Sequence, residues 1–411
     1  MSDWLLPGVA PAKMSAAHVV SIPIATICAF AATATLATNI FLPSLPAMAR
    51  TLNVSSAAVT SAITVYLAVL AIGQLIVGPL SDRFGRRPVN LIGLGIFIVG
   101  TIWCAFASDL PSLLIGRSIQ ASGACAASVL SRAIARDLFD GQMLAKVMAM
   151  ITIATAAALG FSPLLGGMLD HFFGWRSAFV FVAIFAIAAA AAYAMFVGET
   201  NRSLRTSMNP LVIAHCYLDL IRDARFLGPA RTSALLMVGL FAILSGAPRV
   251  LLESFGLSAI TLGWLFAGVV FVVFGGGWLA PKLSARLGLL RATLVGLGLT
   301  VLGGIVLLVA VLAATDSFPL FLVTAAIFLL GLGIASPLSS AAALAHFGSQ
   351  AGVAASLLGF AQMAGAAAGT LLAAAVSSDP ALGLGIVLAL ASPLALMLAA
   401  LSSGRRSPVS S

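Results

Sequence analysis

Ten consecutive residues hold the densest chemistry in the chain: Gly78-Pro-Leu-Ser-Asp-Arg-Phe-Gly-Arg-Arg87. One aspartate, Asp82, stands among Arg83, Arg86 and Arg87, between two glycines, Gly78 and Gly85, that allow a tight turn between helix ends. Such a set can make and break charge-assisted hydrogen bonds. It reads as a latch in which Asp82 accepts from helix-end amides and pairs with arginines brought from elsewhere. Arg132 and Arg136, in the stretch Arg132-Ala-Ile-Ala-Arg136-Asp137, are the expected partners. A second set lies inside apolar runs, Arg117 with Gln120 in one and Ser245 with Arg249 in another. An arginine at membrane depth is costly and marks a functional site by default. Its plainer role would be to tie helices together through backbone carbonyls.

Catalytic chemistry finds no comparable support. Cys28, Cys104, Cys125 and Cys216 stand alone, without metal-ligand or redox spacing, and His18, His171, His215 and His346 form no ligand pair. The twelve acids fall outside the middles of the apolar runs. Neither paired acids nor a nucleophile with its base can therefore be assembled at membrane depth. The expectation is a protein that is not an enzyme, with no metal and no cofactor. Gly275-Gly-Gly277 and Gly331-Leu-Gly333 lie in apolar runs that lack a phosphate-cradling helix, and close helix packing explains them better.

These groups must be positioned by elements that sit in lipid. Of 411 residues, 61% are hydrophobic and 8% charged, and the mean hydropathy is +1.14. Soluble domains carry about 25% charged residues. That excludes an ordinary soluble enzyme, and the net charge of +9 does not make the chain a nucleic-acid binder. Its basic residues cluster in short stretches between long apolar runs, which is the mark of membrane topology. Twelve such runs, from 19–43 to 381–402, approach the ~20 residues a bilayer core demands of a helix. The first is longer than a signal-peptide core and reads as a span. The fold class is thus an all-α membrane protein with twelve transmembrane helices.

A polar stretch divides the runs six and six. The expected organisation is an N-terminal six-helix bundle over 1–197, a central cytoplasmic linker over 198–227, a C-terminal six-helix bundle over 228–402 and a cytoplasmic tail over 403–411. With both termini cytoplasmic, 17 of the 21 basic residues fall on the cytoplasmic side, as the positive-inside rule requires. A weak internal repeat supports the division, since Arg286-Leu-Gly288 after span 8 echoes Arg83-Phe-Gly85 after span 2.

The stretch from Gly78 to Arg87 resembles the signature loop of the major facilitator superfamily. Arg117-Ser-Ile-Gln120 resembles the span-4 arginine motif of that superfamily. Gly160-Phe-Ser-Pro163-Leu-Leu-Gly166-Gly167 resembles its antiporter motif, with Ser162-Pro163 where Gly-Pro is usual. A finer likeness is to drug:proton antiporters of the bicyclomycin/chloramphenicol type. It is carried by Asn39-Ile-Phe-Leu-Pro43-Ser-Leu-Pro46, Phe172-Phe-Gly-Trp175-Arg176, Arg222-Asp-Ala-Arg-Phe226 and Ser245-Gly-Ala-Pro248-Arg249-Val-Leu. The last of these looks like the phenicol exporters of the group.

The resemblance implies the major facilitator fold, two six-helix halves with a substrate site at the midplane. It also implies a monomer in a bacterial inner membrane that moves a small molecule against protons, without nucleic-acid partners. Spans 1, 4, 7 and 10 line the cavity in that fold. The candidates there are Thr35, Thr38, Asn39, Arg117, Gln120, Ser245 and Arg249, with Tyr66, Gln74 and Gln362 from neighbouring spans. The hydroxyls of Thr35 and Thr38 have a competing use in bonding their own helix.

One departure matters: the subfamily usually has aspartate where this chain has Asn39. Three readings follow. Coupling runs through a gate acid such as Asp82, Asp137 or Glu253; or the cavity serves a neutral or anionic substrate through Arg117 and Arg249; or the protein is a facilitator. Lipophilic cations, which need a buried negative partner, are poor candidates. The rival function is a permease of the same fold for a nucleoside, sugar or amino-acid derivative.

Overall fold

Residues 16–139, 141–201, 210–313, 317–347, 351–377 and 379–404 are described by a computed structural model. Part of the expected linker (202–209) and most of the expected tail (405–411) lie outside them, as does the side chain of Glu253. The described residues are almost wholly helical and include no strand. The helices are α1 (Ala16–Asn39), α2 (Leu45–Thr51), α3 (Ser56–Phe84), α4 (Arg86–Ala105), α5 (Leu110–Leu138), α6 (Gly141–Phe173) and α7 (Arg176–Phe196). They continue with α8 (Pro210–Arg222), α9 (Ala224–Arg249), α10 (Ala259–Leu287), α11 (Leu289–Leu312), α12 (Phe318–Leu344), α13 (Ala351–Ala375) and α14 (Pro380–Gly404). Twelve stretches among them are long and apolar enough to cross a bilayer.

Short polar side chains set where several helices begin. Asp109 accepts from the Ser112 amide at 2.8 Å to start α5, and Ser258 from the Thr261 amide at 3.1 Å to start α10. Each takes up an amide that has no partner within its own first turn. Ile92, Ile184, Phe271 and Leu390 are each more than half exposed, as are many other large apolar side chains. Apolar exposure on this scale belongs in lipid.

The chain divides into two compact units, Met1–Val54 with Ile72–Met208, and Ser55–Ala71 with Asn209–Ser411. The first half of α3 thus belongs to the second unit, a division that hydropathy does not predict. In the first unit α1 packs on α5, α6 and α7, and α4 packs on α5 and α7. In the second, α9 packs on α12, α13 and α14, and α11 on α12 and α14. This is the same pairing moved along by six spans. The echo between the two basic loops extends to the backbone: Gly85 has φ +97° and ψ 153°, and Gly288 has φ +80° and ψ 160°.

Small residues make the helix contacts, as expected where lipid supplies no hydrophobic drive for association. A Cβ on Gly123 would meet the Phe97 amide and the Gly93 carbonyl, so α4 and α5 touch backbone to backbone. Gly296 and Gly331 do the same between α11 and α12. Gly276 meets Gly333 between α10 and α12, which accounts for the middle glycine of the triplet and for Gly333, while Gly275 has open space around it. The expected linker is not wholly irregular: it contains α8 and the first turn of α9. The Asp223 carboxylate caps α9, accepting from the Arg225 amide at 2.8 Å.

Candidate functional site

The signature loop is the best-defined polar site in the first unit. Arg86, the first residue of α4, sits at its centre. Its guanidinium donates to Ser81 Oγ at 2.5 Å, pairs with Asp82 Oδ1 at 2.5 Å and reaches Asp137 Oδ2 at 3.1 Å, at the end of α5. Its amide donates to Glu199 Oε1 at 2.9 Å, and the Arg87 amide donates to Glu199 Oε2 at 3.0 Å. The Arg87 guanidinium donates to the Ala194 carbonyl on α7 at 2.8 Å. Asp137 Oδ2 also accepts from Thr200 Oγ1 at 3.1 Å, and Asn201 Nδ2 donates to the Asp82 carbonyl at 3.2 Å.

Two expectations are corrected here. The carboxylate that takes the helix-end amides is Glu199, not Asp82, because the chain leaving α7 passes the start of α4 while Asp82 faces the Arg86 side chain one turn away. The partner from the end of α5 is Asp137: among the described residues no ion pair joins Asp82 to Arg132 or Arg136, and both of those residues are exposed. Arg83 is exposed as well and lies over the Phe84 ring at 5.1 Å.

Arg117 is wholly buried. Its Nη1 donates to the Ala37 carbonyl near the end of α1 at 2.9 Å and to Gln120 Oε1 at 2.6 Å. Gln120 in turn donates from Nε2 to Thr101 Oγ1 on α4 at 2.9 Å. The guanidinium also lies 4.6 Å from the centre of the Phe41 ring, which stacks on Phe179. Arg117 and Gln120 therefore bind α1, α4 and α5 to one another, the helix-tying role rather than an open face.

The other lining candidates divide into two groups. Thr38 donates to the Ala34 carbonyl, Ser245 to the Phe241 carbonyl and Asn39 Nδ2 to the Thr35 carbonyl, each bonding its own helix. Asn39 is buried, with Oδ1 lacking a hydrogen-bond partner among the described residues. Tyr66 is fully buried too. Arg249 is half-buried at the end of α9, where the helix widens into a π-helical turn over Val250–Ser254. Such turns recur at functional sites. Gln362, on α13, donates to Ser233 Oγ on α9 at 2.8 Å and to Ser340 Oγ on α12 at 3.1 Å.

In the antiporter-like stretch, Gly160, Pro163, Gly166 and Gly167 are all buried on α6. Gly166 meets the Ile40 carbonyl so closely that no side chain fits there.

Sequence reasoning missed Glu199, Thr200 and Asn201, and it missed Ser233 and Ser340 as partners of Gln362. It also missed a 2.6 Å hydrogen bond between Thr64 of α3 and Thr370 of α13, within the second unit. Glu199 left one usable signal. α4 opens on a glycine, which has no side chain to cap it, so its amides need an acceptor from elsewhere.

Comparison with known proteins gives a consistent result. The family described as Major Facilitator Superfamily matches residues 27–370. The chain is 30% identical over 333 residues to "Multidrug resistance protein D" of Escherichia coli (strain K12), covering 79% of this chain and 81% of that one. It is 30% identical over 313 residues to "Chloramphenicol resistance protein" of Pseudomonas aeruginosa, covering 75% and 72%. Among solved structures it resembles the partially occluded inward-open xylose transporter XylE from E. coli, with a TM-score of 0.71 and 16% identity over 92% of this chain and 97% of that one. It also resembles the human organic anion transporter MFSD10, with a TM-score of 0.64 and 18% identity over 94% and 100%. At these identities the structural likeness establishes the fold.

Proposed function

The chain belongs to the major facilitator superfamily, and from that premise we propose that it is a secondary active efflux transporter for a small neutral or weakly anionic organic compound of the phenicol type. It is a multi-pass membrane protein that carries a small molecule and catalyses no reaction. In this reading it works by alternating access as a monomer in a bacterial inner membrane, with both termini cytoplasmic and protons moving inward.

The placement of the acids supports the reading of substrate charge. Asp82 and Asp137 lie in the last turns of α3 and α5, Asp170 in the last turn of α6, and Asp109 and Asp223 cap α5 and α9. Glu199 follows α7, Asp219 is on α8, Glu253 is in the π-helical turn ending α9, and Asp379 precedes α14. Among the described residues no acid lies in the middle of a span. A lipophilic cation held at membrane depth would lack the negative partner that offsets its desolvation. Thr35, Thr38, Asn39, Ser245 and Gln362 suit a neutral solute with hydroxyl and carbonyl groups, and Arg249 suits a weak anion. Proton coupling then runs through an acid at a helix end, for which Asp82, Asp137 and Glu253 are the candidates. The ion pairs of Arg86 with Asp82 and Asp137 act as the cytoplasmic gate of the first unit.

Accumulation of labelled chloramphenicol in an efflux-deficient bacterium expressing the protein tests this, with and without a protonophore. Lower accumulation that the protonophore abolishes is the expected result. Unchanged accumulation, with the protein present in the membrane, removes the phenicol reading and favours a metabolite permease.

A further inference from the structure

We propose that Glu199, Thr200 and Asn201, the residues on which the chain leaves the first six-span bundle, are positioning residues of the cytoplasmic gate; the proposal rests on the gate reading of Arg86, Asp82 and Asp137. Each of the three holds a different member of the gate. The Glu199 carboxylate takes the amides of Arg86 and Arg87, one on each oxygen, at 2.9 and 3.0 Å. The Thr200 hydroxyl donates at 3.1 Å to Asp137 Oδ2, the same oxygen that accepts from Arg86 Nε. The Asn201 amide holds the Asp82 carbonyl at 3.2 Å, and the Asn201 backbone amide donates to Glu199 Oε1 at 2.8 Å.

The carboxylate also explains Gly85. A Cβ at that position would lie 2.5 Å from Glu199 Oε2 and 3.0 Å from its Cδ. Gly85 therefore serves the gate twice. Its φ of +97° turns the chain into α4, and its missing side chain leaves room for the carboxylate from beyond α7.

The physical consequence concerns Arg86. Its guanidinium is held by Asp82, Asp137 and Ser81, and its backbone by Glu199, so the side chain can exchange partners only while the turn beneath it stays in place. A negative charge on the first amides of a helix is favourable, and hydrogen bonds to a charged acceptor are stronger than neutral ones. Without the carboxylate the first turn of α4 frays, and the Arg86 side chain moves with it. The gate then closes more slowly, while the substrate contacts, which lie elsewhere on the helices, stay as they were. The expected signature is a loss in kcat at constant KM.

The test uses the full-length protein in lipid nanodiscs and in cells. In Glu199→Gln, hydrogen exchange of the Arg86 and Arg87 amides should rise about tenfold, with that of the α5 interior unchanged. Export of labelled chloramphenicol should fall about tenfold in kcat with KM held within about twofold. Glu199→Asp, shorter but still charged, should recover part of the amide protection. Thr200→Val should slow export without changing those amides. Wild-type exchange at Arg86 and Arg87 in Glu199→Gln would overturn the proposal, as would an export loss no larger than the loss of folded protein.

Asp82→Asn separates this proposal from the reading beneath it. If that variant exports normally, the gate reading fails. If it is inactive while Glu199→Gln is normal in both exchange and export, only the positioning role fails. Should the wild type not export chloramphenicol, exchange in Glu199→Gln and Glu199→Asp still decides whether Glu199 holds the turn.

Discussion

Replacing Arg117 by lysine keeps a positive charge on α5 but removes the planar guanidinium that reaches the end of α1 and the Phe41 ring. In the structure one guanidinium nitrogen serves the Ala37 carbonyl at 2.9 Å and Gln120 Oε1 at 2.6 Å, while the plane of the group lies 4.6 Å from the Phe41 ring. A lysine ammonium sits on a shorter, flexible stem, so it does not hold both acceptors in this geometry and loses the planar contact with the ring. Hydrogen bonds to a charged group contribute about 1.5–3 kcal/mol each. The ring contact adds about 2 kcal/mol when desolvated. Allowing for partial recovery by the ammonium, the change destabilises the first unit by about 3 kcal/mol.

In purified protein held in mild detergent, that loss corresponds to a fall of about 6–12 °C in apparent melting temperature. Export should fall with the amount of folded protein, at unaltered KM for whatever is retained. The reasoning is refuted if Arg117→Lys melts with the wild type and changes KM, because a residue that contacts substrate, and not its neighbouring helices, would behave that way.

Further outcomes follow from the same geometry. Gly166→Ala should abolish stable folding, since its Cβ would be driven into the Ile40 carbonyl, whereas Gly298→Ala, inside α11 with open space around it, should be tolerated and raise stability by up to about 1 kcal/mol in a detergent melt. Asn39→Asp should broaden resistance toward lipophilic cations, scored as minimum inhibitory concentrations across a charged and a neutral compound set; an unchanged profile would place Asn39 outside the transport path. Asp223→Ala should cost about 1 kcal/mol at the start of α9, read as faster amide exchange over its first turn. The hydrogen bond from Arg225 holds the Asp223 carboxyl below the usual carboxylate range. Its stabilisation is therefore present above the unfolded pKa of about 3.9 and lost as pH falls through the lower folded value, so the cap should persist at pH 5 and fail only in stronger acid.

Much of this protein was legible in the order of its residues. Hydropathy is summed over neighbours along the chain, so the twelve spans and, among the described residues, the absence of an acid at mid-span could be read before any fold was known. The turn at Gly85 and the charges around it were equally visible, because turn chemistry and charge are local properties, whereas Gly78 and Asp82 lie within α3 and form no loop. The choice of partners was not. Glu199 reaches the amides of Arg86 and Arg87 across more than a hundred residues, and nothing in its own neighbourhood distinguishes it from Asp82 as a cap.

Arg117 makes the same point from the opposite direction. The cost of a buried arginine marked it out, yet whether it faces a cavity or spends its donors on Ala37 and Gln120 depends on how closely α1 approaches α5. The packing around Arg117 is set by backbone contact at small residues, Gly123 between α5 and α4 and Gly166 between α6 and Ile40 just after α1, which in the sequence are only gaps in an apolar run. The same holds for Gln362, which finds Ser233 and Ser340 on two other helices. Composition by itself determined that the chain lies in lipid, and the order of its apolar runs how often it crosses. Only the tertiary structure decided which polar groups meet, because in a helical membrane protein each span satisfies its own backbone and the remaining pairings are made across the bundle.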